Sequence, residues 1–507
     1  MESGYRKYWK REKRIMEGGL DDMATGHFFH KSDLVKILDA CLNKTLGEVD
    51  VNRVFDITKN HPKITGIAGD VIEQSVLGYP ADNKQEPDLN IDGVKTELKT
   101  TGIRLSKREQ NKYEAKEPMS VTAVSPDIIV TEIFDNSMFW HKLEHLLLVY
   151  YLYVSDKAVA AAEYARFPIK GYQFYEFSEE DKAILENDWT TVRDFLVSLQ
   201  RDYENYENQY PRLSSELRDK LMFIDTAPKW PNPPRFRLKR TVITNIVQAH
   251  FGDRLEQLPS RYTSFHEFNE RLHKLAQIYH GKTVKQLANL FGITGTLNNK
   301  SIGEQIIVRM FGGQGKKMQQ IEFFNKVGLT GKTIVLTETG LRTEDMKLFC
   351  IDFDEVTNPD IAFEESAFQD FFANRQIMCI VFEEPSVEAA LQENRLLGFK
   401  RIVFDDGFIG GYVKPIWERI RELIFSGQLQ DVVELDKKTG KPRFNKTGVM
   451  KSAPNFPKAQ EGIIFVRGGG SDSSHKPEEI NGIRMYRQWI WLKGSYIADR
   501  LAHIDYI

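Results

Sequence analysis

The sequence predicts an α/β fold, in which helices flank a mixed β-sheet, and it predicts that this unit is present twice in tandem. The length of 507 residues suits two or three domains. The composition, 41% hydrophobic and 28% charged residues, is typical of globular proteins. Short segments of the first half recur in the second, in the same order. We therefore expect two domains, residues 1–255 and residues 256–507.

The internal repeat depends on four matches at nearly constant spacing. The matching segments are residues 44–46 with 282–284, 69–72 with 303–306, 93–104 with 331–342, and 146–150 with 378–382. Their offsets are 238, 234, 238 and 232 residues. Each match is weak alone, but four matches in the same order are hard to obtain by chance.

The coarse reading of secondary structure is the same in both copies. A helix is predicted at residues 33–38 and another around 69–77, followed by a pair of strands within residues 94–104. The apolar run 146–154 is far shorter than the roughly 20 residues of a membrane span, so it is read as a strand buried on both faces. Charged helices are predicted at residues 186–199 and 416–425, which completes an α/β pattern.

Charge and cysteine content exclude several classes of protein. The net charge of −3 means that a nucleic-acid partner must be met by local basic patches. The three cysteines are far apart with no CxxC pair, which argues against a disulfide scaffold and a thiolate zinc site. The charged start of the chain does not resemble a secretory signal. We expect a cytoplasmic protein without a membrane partner.

The strongest candidate site is Pro87-Asp88 followed by Glu97-Leu98-Lys99. Alternate residues of a strand share a face, so Glu97 and Lys99 would project together while Leu98 enters the core. If Asp88 lies on the neighbouring strand, two carboxylates converge beside an ammonium. Two hard oxygen ligands suit Mg²⁺, which polarises a phosphate and acidifies a water.

The alternative is that these residues are ordinary surface charges, because Asp/Glu-x-Lys also occurs in four polar stretches elsewhere in the chain. Comparison with the second half favours the functional interpretation. At an offset of 238, Glu97 stands opposite Val335 and Lys99 opposite Thr337, whereas the surrounding glycines, threonines and arginine persist. The first half is therefore predicted to be active and the second inactive.

These motifs resemble the MutH family of PD-(D/E)xK endonucleases. The resemblance is carried by the following segments: residues 44–48, 66–77, Pro87-Asp88, Glu97 to Thr100, 141–143 and 234–239. It spans about residues 40 to 250. A MutH-like half followed by a degenerate one resembles the two-domain type II restriction enzymes that cut GATC, with a restriction-endonuclease-like fold in each half.

The resemblance implies a role for each matching residue. Asp88 and Glu97 would bind Mg²⁺, and Lys99 would serve the attacking water. Glu73 would be the helix-borne carboxylate near the metal, its alternative being a surface residue of an amphipathic helix. Lys142 matches a family lysine close to the active site, and stands opposite Asn374 in the second half.

The segment Phe236 to Arg240 resembles a part of the family that approaches DNA, so Arg237, Lys239 and Arg240 are predicted to contact DNA. Arg237 replaces a tyrosine of the mismatch-repair nickase, which favours a restriction enzyme. A basic run from Arg6 to Arg14 is predicted either to grip phosphates or to form a solvated helix face.

The sequence thus predicts a type II restriction endonuclease that makes Mg²⁺-dependent double-strand cuts, with GATC as the expected site. The inactive half would bind a second recognition site as an effector. The expected partners are double-stranded DNA and, in the host, a cognate DNA methyltransferase. The protein would be a monomer in solution. To cut both DNA strands with one catalytic centre, either one chain would nick twice or two chains would meet transiently on one site. The alternatives are a MutH-like repair nickase and a non-catalytic DNA-binding accessory protein.

Overall fold

The structure of the protein, a computed structural model, describes most of the chain. The described residues are 27–62, 64–79, 86–106, 111–155, 159–227, 234–299, 301–342, 344–386, 389–436, 438–444, 448–470 and 475–507. The basic run from Arg6 to Arg14 lies outside them. Among the described residues, no helix is long and apolar enough to cross a membrane.

Strands and helices alternate along the first half of the chain. The strands are β1 (Phe28–Phe29), β2 (Leu89–Ile91), β3 (Val94–Leu105), β4 (Tyr113–Ala115), β5 (Met119–Ala123), β6 (Leu146–Leu152), β7 (Ile169–Tyr175), β8 (Ile224–Asp225) and β9 (Arg235–Leu238). The helices are α1 (Lys31–Asp39), α2 (Leu46–Val49), α3 (Ile67–Val71), α4 (Pro126–Ile129), α5 (Met138–His141), α6 (Glu179–Asp202), α7 (Arg212–Glu216) and α8 (Arg240–His250).

The second half continues the alternation. Its strands are β10 (Leu329–Leu336), β11 (Met346–Cys350), β12 (Gln376–Glu383), β13 (Arg395–Ile402), β14 (Asp431–Val433), β15 (Ser452–Pro454), β16 (Ile464–Gly468), β17 (Glu478–Ile480), β18 (Ile483–Met485) and β19 (Gln488–Leu492). Its helices are α9 (Phe265–Tyr279), α10 (Val284–Leu290), α11 (Ile302–Met310), α12 (Glu322–Lys326), α13 (Phe353–Val356), α14 (Ala367–Asn374), α15 (Asp406–Phe408), α16 (Lys414–Phe425) and α17 (Gly494–Ala502).

The chain forms two compact units, and the first contains residues 1–101, 135–152 and 161–176. Its strands follow the order β1-β2-β3-β6-β7, with β1 parallel and β3 antiparallel to β2. Strand β6 is antiparallel to β7 and is buried along nearly its whole length, as its apolar sequence predicts. A mixed sheet flanked by helices confirms the predicted α/β class.

The second unit contains residues 102–134, 153–160 and 177–507. Three of its sheets have three strands each, in the orders β5-β9-β8, β10-β12-β13 and β11-β19-β16. The last two enclose a large apolar core with α14, α16 and α17, centred on residues such as Phe372, Val413 and Ile490. The predicted division of the chain near residue 255 stays a prediction.

The two halves share several local devices. Thr45 caps α2 in a capping box with Glu48, and Thr283 caps α10 in the same way with Gln286. Each of the two threonines also forms an isolated antiparallel bridge, with Pro168 and Arg395 respectively. The helices α2 and α10 thus begin at corresponding residues, at the offset of 238 that the sequence indicates.

The strand pairings also correspond. The apolar strands β6 and β12 are each antiparallel to the following strand, β7 or β13, and each ladder is interrupted by a shift of register. In the sheets β5-β9-β8 and β11-β19-β16, the central strand is followed by a helix, α8 or α17. The order of elements is therefore similar in both halves.

Candidate active site

Strand β3 carries the first two site residues on one face, as predicted. The ammonium of Lys99 lies 2.7 Å from Glu97 Oε1, while Leu98 is buried on the opposite face. Glu97 itself is only 1% exposed, and its backbone N–H donates to the carbonyl of His145 at 2.9 Å. The carboxylate is therefore held by a fixed strand and by a charged partner.

Asp88 lies immediately before β2, the neighbour of β3 in the sheet. Its Oδ2 accepts a hydrogen bond from the backbone N–H of Leu98 at 3.0 Å, which brings it next to Glu97 and Lys99. Burial raises the pKa of Asp88, and the charge of Glu97 raises it further. The structure thus brings together the three residues that the sequence singled out.

His27 also supports this corner, although the sequence analysis assigned it no role in the site. Its Nδ1 lies 2.6 Å from the carbonyl oxygen of Asp88, and its ring stacks on Tyr79 at 3.9 Å between centroids. No local motif marks this contact, because 61 residues separate His27 from Asp88.

Glu73 faces the same cluster from a helix. Helix α3 continues at Ile72 into a π-helical turn that ends at Leu77, so the predicted helix is present but wider than a regular one. The pKa of Glu73 rises to about 7 because the carboxyl is largely buried. The negative charge of Asp88 raises this pKa further, while Lys99 lowers it.

Lys142, just after α5, is the second cation of the site. Its ammonium lies 3.0 Å from Glu97 Oε1 and 3.2 Å from Oε2. Glu97 is therefore placed between two lysines, Lys99 and Lys142.

The donors of this cluster fit Mg²⁺ better than a transition metal. The side chains are carboxylates, without a thiolate or imidazole, and hard oxygen ligands suit Mg²⁺. Among the described residues, no three His, Cys, Asp or Glu side chains are placed closely enough to enclose an ion. Mg²⁺ accepts such a set, because it keeps several waters and completes its shell with phosphate oxygens.

An open pocket of about 490 Å³ adjoins the cluster. It is lined by Pro87 and Val94 on one side and by His141 and His145 on the other. Pro87 precedes Asp88, and the carbonyl of His145 receives the N–H of Glu97. The pocket therefore lies beside the residues that adjoin Asp88 and Glu97.

The three residues predicted to contact DNA have protein partners instead. Arg237 makes two hydrogen bonds to Asp225, at 2.8 and 3.0 Å. Arg240 donates to the carbonyl of Ala115 at 2.7 Å and to Glu114 at 3.0 Å.

Lys239 is the most deeply buried of these three residues. It is 4% exposed, and its ammonium donates to the carbonyl of Leu221 at 2.6 Å. Burial lowers the pKa of Lys239, whereas the negative charge of Asp188 raises it by a smaller amount. Lys239 is the buried residue just before α8, and its contact with DNA stays a prediction.

The second half requires a correction of the repeat register. A Cβ built on Gly69 would contact Thr100 Oγ1, and one built on Gly303 would meet Thr333 Oγ1. The helix-to-strand contact is thus the same, and it places Thr333 opposite Thr100. The offset along this strand is 233 residues, rather than the 238 predicted from sequence.

Strand pairing supports the corrected register. In the first half, the backbone N–H of Glu97 binds the carbonyl of His145, the residue just before β6. In the second half, Leu329 and Thr330 pair with Gln376 and Ile377, the first two residues of β12. Val335, the predicted counterpart of Glu97, pairs with Phe382 near the end of β12. Thr330 therefore occupies the position of Glu97.

The same register places Lys332 opposite Lys99, so the lysine persists in the second half while the carboxylate is lost. Lys332 donates to the carbonyl of Lys347 at 2.8 Å. A Cβ on the neighbouring Gly331 would clash with Glu304 and with Met318, which is fully buried. Gly331 is the counterpart of Leu98, so these contacts lie on the core face of the strand.

The site and fold have counterparts among known proteins. Residues 77–188 match the family described as DNA mismatch repair enzyme MutH. This segment includes Asp88, Glu97, Lys99 and Lys142, and it confirms the resemblance noted in the sequence. The segment that carries these four residues is therefore similar to the MutH nuclease.

A curated relative extends the similarity to most of the chain. The type II restriction enzyme Sau3AI of Staphylococcus aureus is 22% identical over 480 residues, which cover 86% of this chain and 92% of the relative. The similarity therefore includes the second half, which the MutH match does not reach.

Proposed function

We propose that this MutH-like nuclease is a type II restriction endonuclease, a site-specific deoxyribonuclease that makes double-strand cuts at GATC with Mg²⁺. The observation that carries the proposal is the convergence of Asp88, Glu97 and Lys99 on the face of one strand pair. Similarity to a restriction enzyme along both halves favours this function over that of a repair nickase, which would recruit partner proteins and need no second half.

Each residue of the cluster has a separate task in this proposal. Asp88 and Glu97 would hold Mg²⁺, which when bound polarises the scissile phosphate and lowers the pKa of a water. Lys99 orients the attacking water and stabilises negative charge that develops on the phosphate. Glu73 adds a carboxylate that accepts a proton near neutral pH, because its pKa is close to 7.

Lys142 and Lys99 also balance the charge of Glu97 before DNA arrives. Both ammonium groups lie within 3.0 Å of Glu97 Oε1, so an incoming cation competes with them for this carboxylate. Lys142 would then turn to the phosphate, where its charge stabilises the pentacovalent transition state. Both lysines would thus neutralise Glu97 in the free enzyme and stabilise phosphate charge in the transition state.

The second half, residues 256–507, would be an inactive copy that binds a second GATC site as an effector. Its inactivity is supported by Thr330, which stands where the first half has the carboxylate of Glu97. The shared capping boxes and strand pairings support descent from one ancestral unit. Arg237 and Arg240 could reach DNA after exchanging their present carboxylate partners.

Plasmid digestion with end sequencing tests the proposal. Purified protein with Mg²⁺ should produce discrete fragments that end at GATC, and EDTA should abolish them. Prior methylation by a GATC-specific methyltransferase, the expected partner in the host, should protect the plasmid. Ends at another sequence would reject the specificity, and metal-dependent DNA binding without cleavage would favour an accessory protein.

The number of sites and chains is tested on the same substrates. Plasmids with two GATC sites should be cut faster than plasmids with one, if the second half acts as an effector. Mass photometry should find a monomer without DNA and a transient dimer on it, or a monomer throughout if one chain nicks twice.

A further inference from the structure

The π-helical turn that carries Glu73 is tied to a separate polar cluster formed by Asp50, Asn52 and Ser75. Ser75 Oγ donates to Asp50 Oδ1 at 2.5 Å and accepts from the backbone N–H of Asn52 at 3.1 Å. Asn52 Nδ2 donates to the carbonyl of Gln74 at 2.5 Å. The loop after α2 therefore holds the residues that follow Glu73 in the turn.

The carboxylate of Asp50 is itself held by the backbone of the residues that follow it. Its Oδ1 accepts the N–H of Val54 at 2.8 Å, and its Oδ2 accepts the N–H of Phe55 at 2.9 Å. Ser75 is 5% exposed, so its hydroxyl depends on these partners rather than on water. The cluster is a rigid attachment for the π turn.

The turn differs from an α-helix by one inserted residue. Gly78 N–H donates to the carbonyl of Glu73 at 2.8 Å, five residues apart, where an α-helix would make the bond four residues apart. Removing the insertion would rotate the residues on one side of it by about 100° relative to the other. The direction in which Glu73 points therefore depends on whether the turn is kept.

The second half provides an internal comparison. Helix α11 corresponds to α3 and its π turn, but it is a regular α-helix from Ile302 to Met310. At the register of the two capping boxes, Ala288 and Leu290 stand in place of Asp50 and Asn52. At the register of Gly69 and Gly303, Ile307 replaces Glu73 and Arg309 replaces Ser75. At these corresponding positions, all within the described part of the chain, the polar cluster, the π turn and the glutamate are absent together.

We propose that Ser75 and Asp50 are positioning residues, which keep the π turn in place so that Glu73 faces Asp88 and Glu97. Neither touches the reacting atoms; they act through Glu73. The inference deepens the nuclease function proposed above, and rests on it for the catalytic consequence. The structural consequence, a turn that needs the Ser75 hydroxyl, is independent of what the enzyme cuts.

Hydrogen exchange of the full-length protein tests the structural part. Ser75→Ala removes the hydroxyl and Ser75→Thr keeps it, while Asp50→Ala removes the acceptor of that hydroxyl. Thr58→Val is the matched control, because the Thr58 hydroxyl is also buried. This hydroxyl donates to the carbonyl of Phe55 at 2.7 Å within the 3-10 helix Val54–Lys59. The Gly78 amide should exchange at least tenfold faster in Ser75→Ala than in Thr58→Val, and Ser75→Thr should restore slow exchange.

Calorimetry and cleavage test the catalytic part. We expect Ser75→Ala to weaken Mg²⁺ binding at least threefold and to slow single-turnover cleavage about tenfold, with DNA binding in EDTA unchanged. In a Glu73→Gln background, Ser75→Ala should cause no further loss of rate, because the two residues act in series.

Three results separate the possibilities. If Ser75→Ala and Thr58→Val behave alike in exchange and metal binding, the inference is overturned. If Ser75→Ala slows cleavage equally with and without Glu73, a role through Glu73 is overturned. If the wild-type protein cuts no DNA, the nuclease function fails, while the exchange rates and Mg²⁺ affinity still decide whether Ser75 positions Glu73.

Discussion

The ammonium of Lys142 lies 3.0 Å from Oε1 and 3.2 Å from Oε2 of Glu97, a carboxylate that also binds Lys99. One buried negative charge thus has two positive partners 2 and 45 residues away in sequence. Because two positive charges surround one negative charge, the arrangement has an excess of positive charge and attracts a second anion, such as a phosphate.

Lys142→Ala should separate metal binding from chemistry. Removing one competitor of the metal should lower the half-saturating Mg²⁺ concentration, while loss of a transition-state cation should slow single-turnover cleavage by roughly 10- to 100-fold. A Mg²⁺ titration of the cleavage rate checks both effects. A rate equal to that of the wild type would remove Lys142 from the site.

Cleavage should increase with pH through neutrality. The pKa of Glu73 is raised from 4.5 to about 7, so this carboxyl is largely protonated below pH 7 and binds a cation poorly. The pKa of Asp88 is also raised, by burial and by the charge of Glu97, which acts in the same direction. The half-saturating Mg²⁺ concentration should fall as pH rises from 6 to 8, as measured by rate titrations at several pH values. Glu73→Gln should flatten this dependence, and an unchanged profile in that variant would contradict the assignment.

The sequence was sufficient to predict that Glu97 and Lys99 share one face of a strand. It was insufficient to predict the register in which the two halves correspond. Alternation places Glu97 and Lys99 on one face wherever the strand lies, so this prediction needed no tertiary information. The apparent match of residues 96–102 to 334–340 misled because both segments are rich in threonine. In the structure the first continues as a strand, whereas β10 ends at Leu336 and Thr337 to Gly340 form a turn.

The remaining differences arise from contacts between distant segments. Asp50 holds the π turn through Ser75, which lies 25 residues further along the chain. His27 supports the backbone of Asp88 from 61 residues away. Lys239 is basic in sequence but buried in the fold. No local pattern distinguishes such residues from exposed ones.

Lys332→Met tests the corrected register against its counterpart Lys99→Met. Lys332 is enclosed and bonds only a carbonyl among its described hydrogen bonds, so the substitution should change the cleavage rate less than threefold. Lys99→Met should lower it at least 1,000-fold, an order of magnitude expected for a group that acts in the transition state. Single-turnover assays of the two variants make the comparison, and equal losses would show that the second half is not an inert copy.

Asp188 should be a major determinant of stability. It is fully buried, and its carboxylate accepts hydrogen bonds from the backbone N–H groups of Met222, Phe223 and Ile224. Asp188→Ala leaves these donors unsatisfied, which should lower the free energy of unfolding by about 3 kcal/mol or more. Urea denaturation checks the value, with the exposed Asp194→Ala as a control that should change it by less than about 0.5 kcal/mol.

The most direct test of the catalytic centre is single-turnover cleavage of a GATC duplex by Glu97→Gln beside the wild-type protein. DNA binding is measured in parallel with Ca²⁺ replacing Mg²⁺, and circular dichroism checks the fold. We predict that the variant binds the duplex and keeps the wild-type spectrum, but loses cleavage at least 1,000-fold, since one metal-binding carboxylate is gone. A folded variant that cuts at the wild-type rate would contradict the assignment of Glu97, and with it the centre formed with Asp88 and Lys99.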